Sequence, residues 1–330
     1  MVGPQTQRKT SLAQVLSVTL VTAAMWLGAI LMPTPGPRET LTVAVGMWPG
    51  AEPLILAREA GDLPPSRINV VEVNWTSAAM RAVGNRVVDA AVLSLDEALR
   101  QIGQGYGLRI VLVTDISHGA DAVLARKSIR SMEELAGRRV AYEPRTSAAL
   151  MLERRLRGAQ LGMHQIQEVP INPAETEEVF NELTLDAVAL SEPWIERLGG
   201  LGLRRLFDSS EPWAAIIRVL VVDGEEIEQR PAEVALLVRA HLKWMAKMPT
   251  LGAELEPVLR RSGLDREAFL RILAKLELPS REENLQWLRE GGRLVEAMLG
   301  IAAELNLPPE CGTPEGLAAV IDDRFVREAP

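Results

Sequence analysis

Short apolar runs alternate with amphipathic stretches over the first two thirds of this sequence, and few folds accommodate that pattern. Runs such as Leu41–Gly46 and Leu108–Val113 are apolar throughout instead of at every second position. Such runs are typical of strands that are covered on both faces of a parallel sheet. The stretches between them, such as Thr76–Val83, are amphipathic and favour helices. The alternation therefore predicts an α/β fold with parallel strands and right-handed crossovers.

The same order of elements occurs twice along the chain. The predicted strands are Leu41–Gly46, Ile68–Val73, Ala90–Leu93, Leu108–Val113, Arg139–Tyr142, Gln165–Ile171, Ala187–Leu190 and Ile216–Val222, and helices are predicted at Pro53–Ala60, Thr76–Val83, Asp96–Ile102 and Ser147–Leu156. Strand, helix, strand, helix and strand follow one another in Leu41–Leu93 and again in Arg139–Leu190. An aspartate, Asp89 or Asp186, precedes the third strand of each unit. The sequence thus predicts two similarly built α/β units.

The 108 residues after Val222 have a helical pattern. Val234, Leu237 and His241 recur at helical spacing within the first of these stretches. A later stretch opens with Ser280 and Glu283, which have the spacing of a capping box. We expect this C-terminal helical tail to pack on one or both of the α/β units.

The N-terminal region contains 22 uncharged residues, Ser11–Met32, which follow Arg8 and Lys9 and precede a proline-rich linker. Cations, an apolar run and a breaker in this order are typical of an export signal. The run is also long enough to cross a bilayer as a helix, so a cleaved signal and an uncleaved membrane anchor both remain open. Because the positive charges precede the run, we expect the rest of the chain in the periplasm or on the extracytoplasmic face of the inner membrane.

Charge and residue types exclude several classes of function. The net charge of −8 offers no electrostatic attraction for nucleic acid. Cys311 is the single cysteine, and the histidines at 118, 164 and 241 lack ligand spacing, so no metal site is expected. Walker, Rossmann and nucleophilic-serine motifs are absent from the sequence. We therefore expect no cofactor and no catalytic residues, and solute binding is the simpler use of a site in this fold.

Ligands of open α/β sheets bind at the carboxyl ends of the strands, and polar or aromatic residues stand at these ends in this sequence. The residues at the strand ends are Trp48, Glu52, Trp75, Thr76, Ser77, Ser94, Asp96, Asp115, Ser117, His118, Asp121, Glu143, Arg145, Thr146, Ser147, Ser191, Glu192 and Trp194. Helix capping alone would explain the serines and threonines, and His118 is also typical of a loop. Trp48, Trp75 and Trp194 have no such explanation. Indole rings at these positions would form an apolar or cation–π wall for a ligand.

Several motifs, in this order, resemble a known protein family. The segments WPGAEPLILAREAGDL, DAAVLSLDEAL, LRIVLVTDISHGADAVLAR, SMEELAGRRVAYEP, LDAVALSEPW and LFDSSE are similar to the solute-binding proteins of nitrate/sulfonate/taurine-type ABC transporters. The branch that includes the binders of thiamine-pyrimidine precursors is the most similar. The resemblance runs from about Leu41 to Val222. It implies a type II periplasmic-binding-protein fold, with two lobes joined by crossing strands near Asp121–Arg126 and Ile216–Val222.

The resemblance also implies the domains, partners and site of the protein. The N-terminal pattern makes 1–39 the anchor or signal with its linker, and the resemblance gives 40–126 plus 216–330 as lobe I and 127–215 as lobe II. It implies a small-molecule solute together with ABC permease and ATPase subunits, and no enzymatic activity. Its cleft positions, together with Trp75, give the candidate ligand-binding residues Trp48, Glu52, Trp75, Ser94, Asp96, Ser117, His118, Asp121, Arg145, Thr146, Ser147, Glu192 and Trp194.

The charges at the strand ends favour a neutral or cationic organic solute, with a nitrogen-containing ring as one candidate. Six acidic residues stand there against one cation, Arg145. Each carboxylate about 10 Å from an anion would oppose its binding by on the order of 1 kcal/mol at an effective dielectric of about 20. Backbone N–H groups at the helix starts after Trp75 and Arg145 would instead suit an anion. Two further functions stay open on the same fold, a cleft enzyme and a membrane-anchored solute sensor.

Overall fold

The computed structural model describes residues 40–182, 185–211 and 214–329. The predicted signal or anchor, Ser11–Met32, lies outside these residues. The strands are β1 Leu41–Val45, β2 Ile68–Glu72, β3 Ala90–Ser94, β4 Leu108–Ser117, β5 Asp121–Ala125, β6 Arg139–Tyr142, β7 Gln167–Pro170, β8 Ala187–Ser191, β9 Arg204–Asp208, β10 Ile216–Asp223 and β11 Leu276–Glu277. All eight predicted strands are present, within two residues at most ends. The prediction for β4 ended four residues early, because the polar residues Thr114, Asp115 and Ser117 continue this strand.

The described helices are α1 Glu52–Glu59, α2 Thr76–Gly84, α3 Leu95–Gly103, α4 Ser147–Gly158, α5 Thr176–Glu182, α6 Trp194–Arg197, α7 Gly224–Gln229, α8 Pro231–Lys247, α9 Glu256–Ser262, α10 Arg266–Leu273, α11 Arg281–Leu288, α12 Arg293–Glu304, α13 Pro314–Ala318 and α14 Arg324–Arg327. The four helices predicted between the strands correspond to α1 to α4. Within the described ranges, no helix is both long enough and apolar enough to cross a membrane.

The strands form two mixed sheets, and the same arrangement occurs in both. Sheet one has the strand order β11-β4-β10-β3-β1-β2, and sheet two has the order β7-β6-β8-β5-β9. In sheet one, β2, β1 and β3 run parallel, and in sheet two, β7, β6 and β8 run parallel. The repeated order of elements in the sequence therefore corresponds to two three-stranded parallel units.

The repeated aspartates have the same structural role in both units. Asp89 Oδ2 accepts a hydrogen bond from the backbone N–H of Thr42 at 2.7 Å. Asp186 Oδ2 accepts the corresponding bond from the N–H of Arg139 at 3.0 Å. Each aspartate thus joins the start of the third strand to the start of the first strand.

The expectation of parallel strands does not hold for the other half of each sheet. In sheet one, β10 pairs antiparallel with both β3 and β4. In sheet two, β5 pairs antiparallel with both β8 and β9. A strand that is covered on both faces is apolar throughout whichever way it runs, so the apolar pattern reports burial and not direction. The edge strands β9 and β11 were not predicted, because one begins with two arginines and the other has two residues.

The chain passes between the sheets twice. It leaves sheet one after β4 and enters sheet two at β5 through 118–120, and it returns to sheet one between β9 and β10. The resemblance placed the crossings near Asp121–Arg126 and Ile216–Val222, which the structure assigns to β5 and β10. The lobe boundaries at 126 and 215 remain predictions.

Apolar residues cover both faces of sheet two and join the tail to sheet one. Alternate residues of β5 belong to different clusters, with Val123 in one and Ala122 in the other, as the two-residue period of a strand requires. The largest cluster combines sheet one with residues of α8 to α12. Asn284 of α11 binds both backbone groups of Val113 in β4, at 2.8 and 3.1 Å. The tail is therefore built into the core of sheet one.

Candidate functional site

A cavity of about 60 Å³ lies where the carboxyl ends of β1, β2 and β3 meet those of β6 and β8. It exceeds the roughly 10–15 Å³ that a cavity needs to hold a water molecule. The candidate residues that line it are Trp48, Trp75, Ser94, Thr146, Ser147, Glu192 and Trp194. The sequence therefore predicted the location of the cavity, although not its complete lining.

Helix starts surround the cavity, which explains why these residues face it. Trp75, Ser94 and Thr146 are the N-cap residues of α2, α3 and α4, each with extended backbone. Ser94 is the last residue of β3, and Trp75 and Thr146 follow the ends of β2 and β6 by three and four residues, so each helix begins near the carboxyl end of its strand. The partial positive ends of three helix dipoles consequently converge on the cavity.

Trp48 is held between an aspartate and an arginine. Its indole N–H lies 3.0 Å from both oxygens of Asp115, and the guanidinium carbon of Arg218 lies 3.3 Å from the ring centroid. The turn Pro49–Ala51 follows, and Gly50 passes so close to Asp115 that a Cβ atom would overlap its carboxylate. The turn therefore requires glycine, and Trp48 is fixed in position by both of its neighbours.

Arg218 is a buried cation that the sequence analysis missed. It donates a 2.9 Å hydrogen bond from Nη2 to Oδ1 of Asp121, and its Nη1 lies 3.8 Å from Oδ1 of Asp115. The signal was a single arginine inside the apolar run IIRVLVVD of β10. Because an unpaired charge is costly to bury, an arginine at such a position requires acidic partners.

The other two tryptophans of the cavity wall differ in burial. Trp75 is half-buried at the start of α2. Trp194 is 8 % exposed at the start of α6, and the guanidinium carbon of Arg197 lies 4.6 Å from its ring centroid. Arg197 is in turn held by the backbone carbonyl of Ser262, 3.1 Å from its Nε. The two indoles thus add apolar wall from both sheets.

Glu97 lies on the cavity wall although the sequence analysis did not select it. Its Oε2 accepts a hydrogen bond from the N–H of Ser94 at 2.8 Å, and its Oε1 accepts one from the N–H of Ser147 at 3.1 Å. Burial and the neighbouring Asp96 carboxylate raise the pKa of Glu97 to about 8. The segment SLDE has the spacing of a capping box, and this signal would have identified Glu97.

Two further glutamates line the cavity close to sheet two. Glu143 accepts a 3.0 Å hydrogen bond from the N–H of Ser77, and burial raises its pKa. Glu192 accepts bonds from Lys275 at 2.7 Å and from the N–H of Glu196 at 2.9 Å, and burial raises its pKa as well. Raised pKa values are expected where carboxyl groups lose water of hydration.

Three candidate residues are buried outside the cavity lining. Glu52 pairs with Arg261, and burial raises its pKa to about 7. Asp96 accepts the hydroxyl of Ser94 at 2.7 Å, and burial raises its pKa. The hydroxyls of Ser117 and Ser209 lie 2.8 Å apart. These residues hold neighbouring elements together.

The remaining candidates are bound to partners or exposed. Asp121 is fully buried and paired with Arg218. His118 is exposed, with Nε2 3.4 Å from a carboxylate oxygen of Glu277. Arg145 is exposed, and its φ of 67° places it in the left-handed region. None of these three side chains lines the cavity.

The sequence-based charge count was wrong, because it omitted cations from distant parts of the chain. Arg218 neutralises Asp121 and lies beside Asp115, and Lys275 pairs with Glu192. Glu97 and Glu143 are then the acidic residues of the lining that accept backbone N–H groups and have no ion pair in the described ranges. No cluster of three or more potential metal ligands occurs among the described residues.

The sequence profile of the NMT1-like family matches residues 34–248. No curated protein gives a significant match to the sequence. Solved structures match closely in fold. The alkanesulfonate-binding protein SsuA from Xanthomonas axonopodis pv. citri, bound to MOPS, has a TM-score of 0.68 at 18 % identity over 88 % of this chain and 100 % of its own.

Two other solved structures show how varied the proteins with this fold are. The periplasmic nitrate-binding protein NrtA from Synechocystis PCC 6803 has a TM-score of 0.69 at 12 % identity, over 88 % of both chains. The desulfurization enzyme DSZB has a TM-score of 0.62 at 17 % identity, over 88 % of this chain and 98 % of its own. The predicted periplasmic-binding-protein fold and the resemblance to sulfonate and nitrate binders are thereby confirmed.

Proposed function

The chain belongs to the NMT1-like family, and on that premise we propose that it is the extracytoplasmic solute-binding receptor of an ABC importer. The observation that carries the proposal is the enclosed cavity between the two sheets, with walls from both. Trp48 and Trp75 contribute from sheet one, and Trp194 contributes from sheet two. A receptor needs walls on both sides, because solute is retained when the two halves close around it.

We propose a small neutral or cationic solute for this cavity. Three indoles supply apolar surface for a flat ring or a cation–π contact. The described lining holds Glu97, Glu143 and Glu192, and its cation Arg218 is already paired with Asp121. Glu192 is paired with Lys275, whereas Glu97 and Glu143 have no ion pair in the described ranges and can accept hydrogen bonds from a solute. This favours a solute that donates hydrogen bonds and carries no negative charge.

The decisive measurement is the recovery of the solute itself. Full-length protein purified without added ligand is denatured, and the released small molecules are identified by mass spectrometry. We expect one neutral or basic compound at close to one equivalent. Thermal-shift titration with amines, pyrimidines, sulfonates and nitrate gives the second readout. Stabilisation by small anions alone would contradict the proposed solute class.

An enzyme is the second candidate, because the desulfurization enzyme DSZB has the same fold. Carboxyl groups with raised pKa values, such as Glu97 at about 8, are suited to transfer protons near neutral pH. Incubation of the protein with the recovered solute separates the two functions. A receptor returns the compound unchanged, and an enzyme converts it over many turnovers.

The cellular role follows from the predicted N-terminal segment. We propose that Ser11–Met32 directs export and that the domain meets the ABC permease and its ATPase at the membrane. N-terminal sequencing of the mature protein distinguishes a cleaved signal from an anchor. Co-purification with permease subunits supports transport, whereas co-purification with a signalling protein would favour a sensor.

A further inference from the structure

Two glutamates on the cavity wall bind helix starts that belong to the opposite sheet. Glu143 follows β6 of sheet two, and its Oε1 accepts the N–H of Ser77 in the first turn of α2, which follows β2 of sheet one. Glu97 lies on α3, which follows β3 of sheet one. Its Oε1 accepts the N–H of Ser147, the first residue of α4, which follows β6 of sheet two. The two contacts are therefore reciprocal.

Each contact occupies one of the donors that a helix start offers to an oxyanion. The first-turn N–H groups of a helix carry its positive dipole end and bind phosphate, sulfate or carboxylate oxygens where they are open. Neither Trp75 nor Thr146, the N-caps of α2 and α4, makes a side-chain capping bond. The capping oxygens come instead from Glu143 and Glu97, which are 7 % and 1 % exposed.

We propose that Glu97 and Glu143 are specificity-determining residues that exclude oxyanionic solutes, because their own oxygens fill the hydrogen-bonding positions an oxyanion would need. The inference rests on the proposed receptor function and names two residues that set its solute class. Occupancy of the donors is the essential point. A glutamate that carries a proton still fills the position at the N–H, so the exclusion does not require both groups to be charged.

A solute anion would have to displace a glutamate oxygen before it could bind the N–H of Ser77 or Ser147. The displaced carboxyl group would remain beside the anion, because both glutamates are enclosed by the cavity wall. A neutral or basic solute meets no such conflict, since it can donate hydrogen bonds to carboxyl oxygens. The same two residues would thus reject one class of solute and accept another.

Substitution with alanine tests the proposal, because it opens the N–H groups. Glu97→Ala, Glu143→Ala and the double variant are prepared as full-length proteins and titrated with nitrate and with ethanesulfonate by calorimetry and thermal shift. We expect saturable anion binding that is tighter than in the wild type by roughly tenfold or more, the equivalent of one charge-assisted hydrogen bond. Glu283→Ala is the matched control, because Glu283 caps α11 outside the cavity lining.

Glutamine variants separate occupancy from charge. The amide oxygen of Glu97→Gln or Glu143→Gln can still accept the backbone N–H, so the anion affinity should rise much less than in the alanine variants. An equal rise in both sets would overturn the occupancy argument. Circular dichroism checks folding. If an alanine variant does not fold, Glu97→Thr or Glu143→Ser replaces it, because these side chains are too short to reach the opposite helix.

Two further outcomes would refute the proposal. One is a wild-type protein that binds nitrate or ethanesulfonate as tightly as the alanine variants do. The other is a set of folded alanine variants without any gain in anion binding, which is the result a purely capping role predicts. The proposed receptor function is refuted by different results: no solute is recovered from the purified protein, or the protein converts the recovered solute. A gain of anion binding in the variants does not depend on either result.

Discussion

Replacement of Arg218 by methionine should be the most damaging change at the site that still allows folding. Arg218 is 6 % exposed and pairs with Asp121 at 2.9 Å, and its Nη1 lies 3.8 Å from Asp115. Methionine preserves much of the packing on Trp48 but removes the charge. Removal of one partner from a buried ion pair costs about 3–5 kcal/mol. The expected loss is therefore a large part of a total stability of roughly 5–15 kcal/mol.

The loss should depend on pH in a defined direction. Burial raises the pKa of Asp115 to about 6 from 3.8, although Arg218 and Trp48 act to lower it. A carboxyl whose folded pKa is raised contributes most to stability below the unfolded pKa, and this contribution is lost as the pH rises through the folded pKa. Without Arg218 the pKa of Asp115 rises further. Each unit of this rise lowers the stability above the folded pKa by about 1.4 kcal/mol. The deficit of the variant should thus be largest above pH 7 and smaller near pH 5.

Urea unfolding at pH 5 and pH 8 measures this deficit. Arg218→Met combined with Asp121→Asn should recover part of the stability, because one buried carboxylate is removed together with its partner. Arg86→Met is the surface control. Arg86 pairs with Glu225 at 3.1 Å on an exposed side chain, so its replacement should leave the midpoint unchanged. The reasoning is refuted if Arg218→Met lowers the free energy of unfolding by less than about 1 kcal/mol at pH 8. It is also refuted if the loss of stability is greater at pH 5 than at pH 8.

Three further substitutions test other buried groups. Trp48→Phe keeps an aromatic ring but removes the hydrogen bond to Asp115. The free energy of unfolding should fall by about 1–3 kcal/mol, and an unchanged urea midpoint would contradict this. His241 has no hydrogen-bond partner in the described ranges, and burial lowers its pKa to about 3. Below about pH 6.5 the imidazole of the unfolded chain gains a proton, whereas the buried imidazole stays neutral to about pH 3, so the wild type loses stability over this range. His241→Leu should therefore gain most over the wild type in acid, and parallel acid-unfolding curves would exclude this. Asn284→Asp keeps an acceptor for the N–H of Val113 but loses the donor to its carbonyl at 3.1 Å. This substitution should lower the free energy of unfolding, measured in urea, by roughly 2–4 kcal/mol. A decrease under about 1 kcal/mol would show that the buried carbonyl of Val113 finds another partner.

The strands and the repeated unit could be predicted because they depend on local pattern. Apolar runs indicate buried strands, and the aspartates before the third strands, Asp89 and Asp186, hold equivalent backbone groups in both sheets. The direction of β10 and β5 could not be predicted in this way. Strand direction depends on which strands become neighbours in the sheet, and the pattern along one strand contains no information about its neighbours.

The location of the cavity could be predicted from strand ends, but its chemistry could not. Asp96 and Glu97 are adjacent on α3, and successive helical side chains point about 100° apart. Glu97 consequently faces the cavity, whereas Asp96 lies outside its lining. Charge balance also depended on Arg218 and Lys275, which come from distant segments. Sequence order shows which residues reach the sheet edge but not which side chains turn towards each other.

The position of β10 sets the earliest point at which the middle of sheet one can form as the protein is synthesised. Val221 of β10 pairs with Ala91 of β3 and with Ile110 of β4, so the middle strand of sheet one is made long after the strands on either side of it. Until the ribosome has released β10, β3 and β4 have unpaired inner edges that can aggregate or bind a chaperone. The middle of sheet one therefore stays open until more than half of the chain has been made.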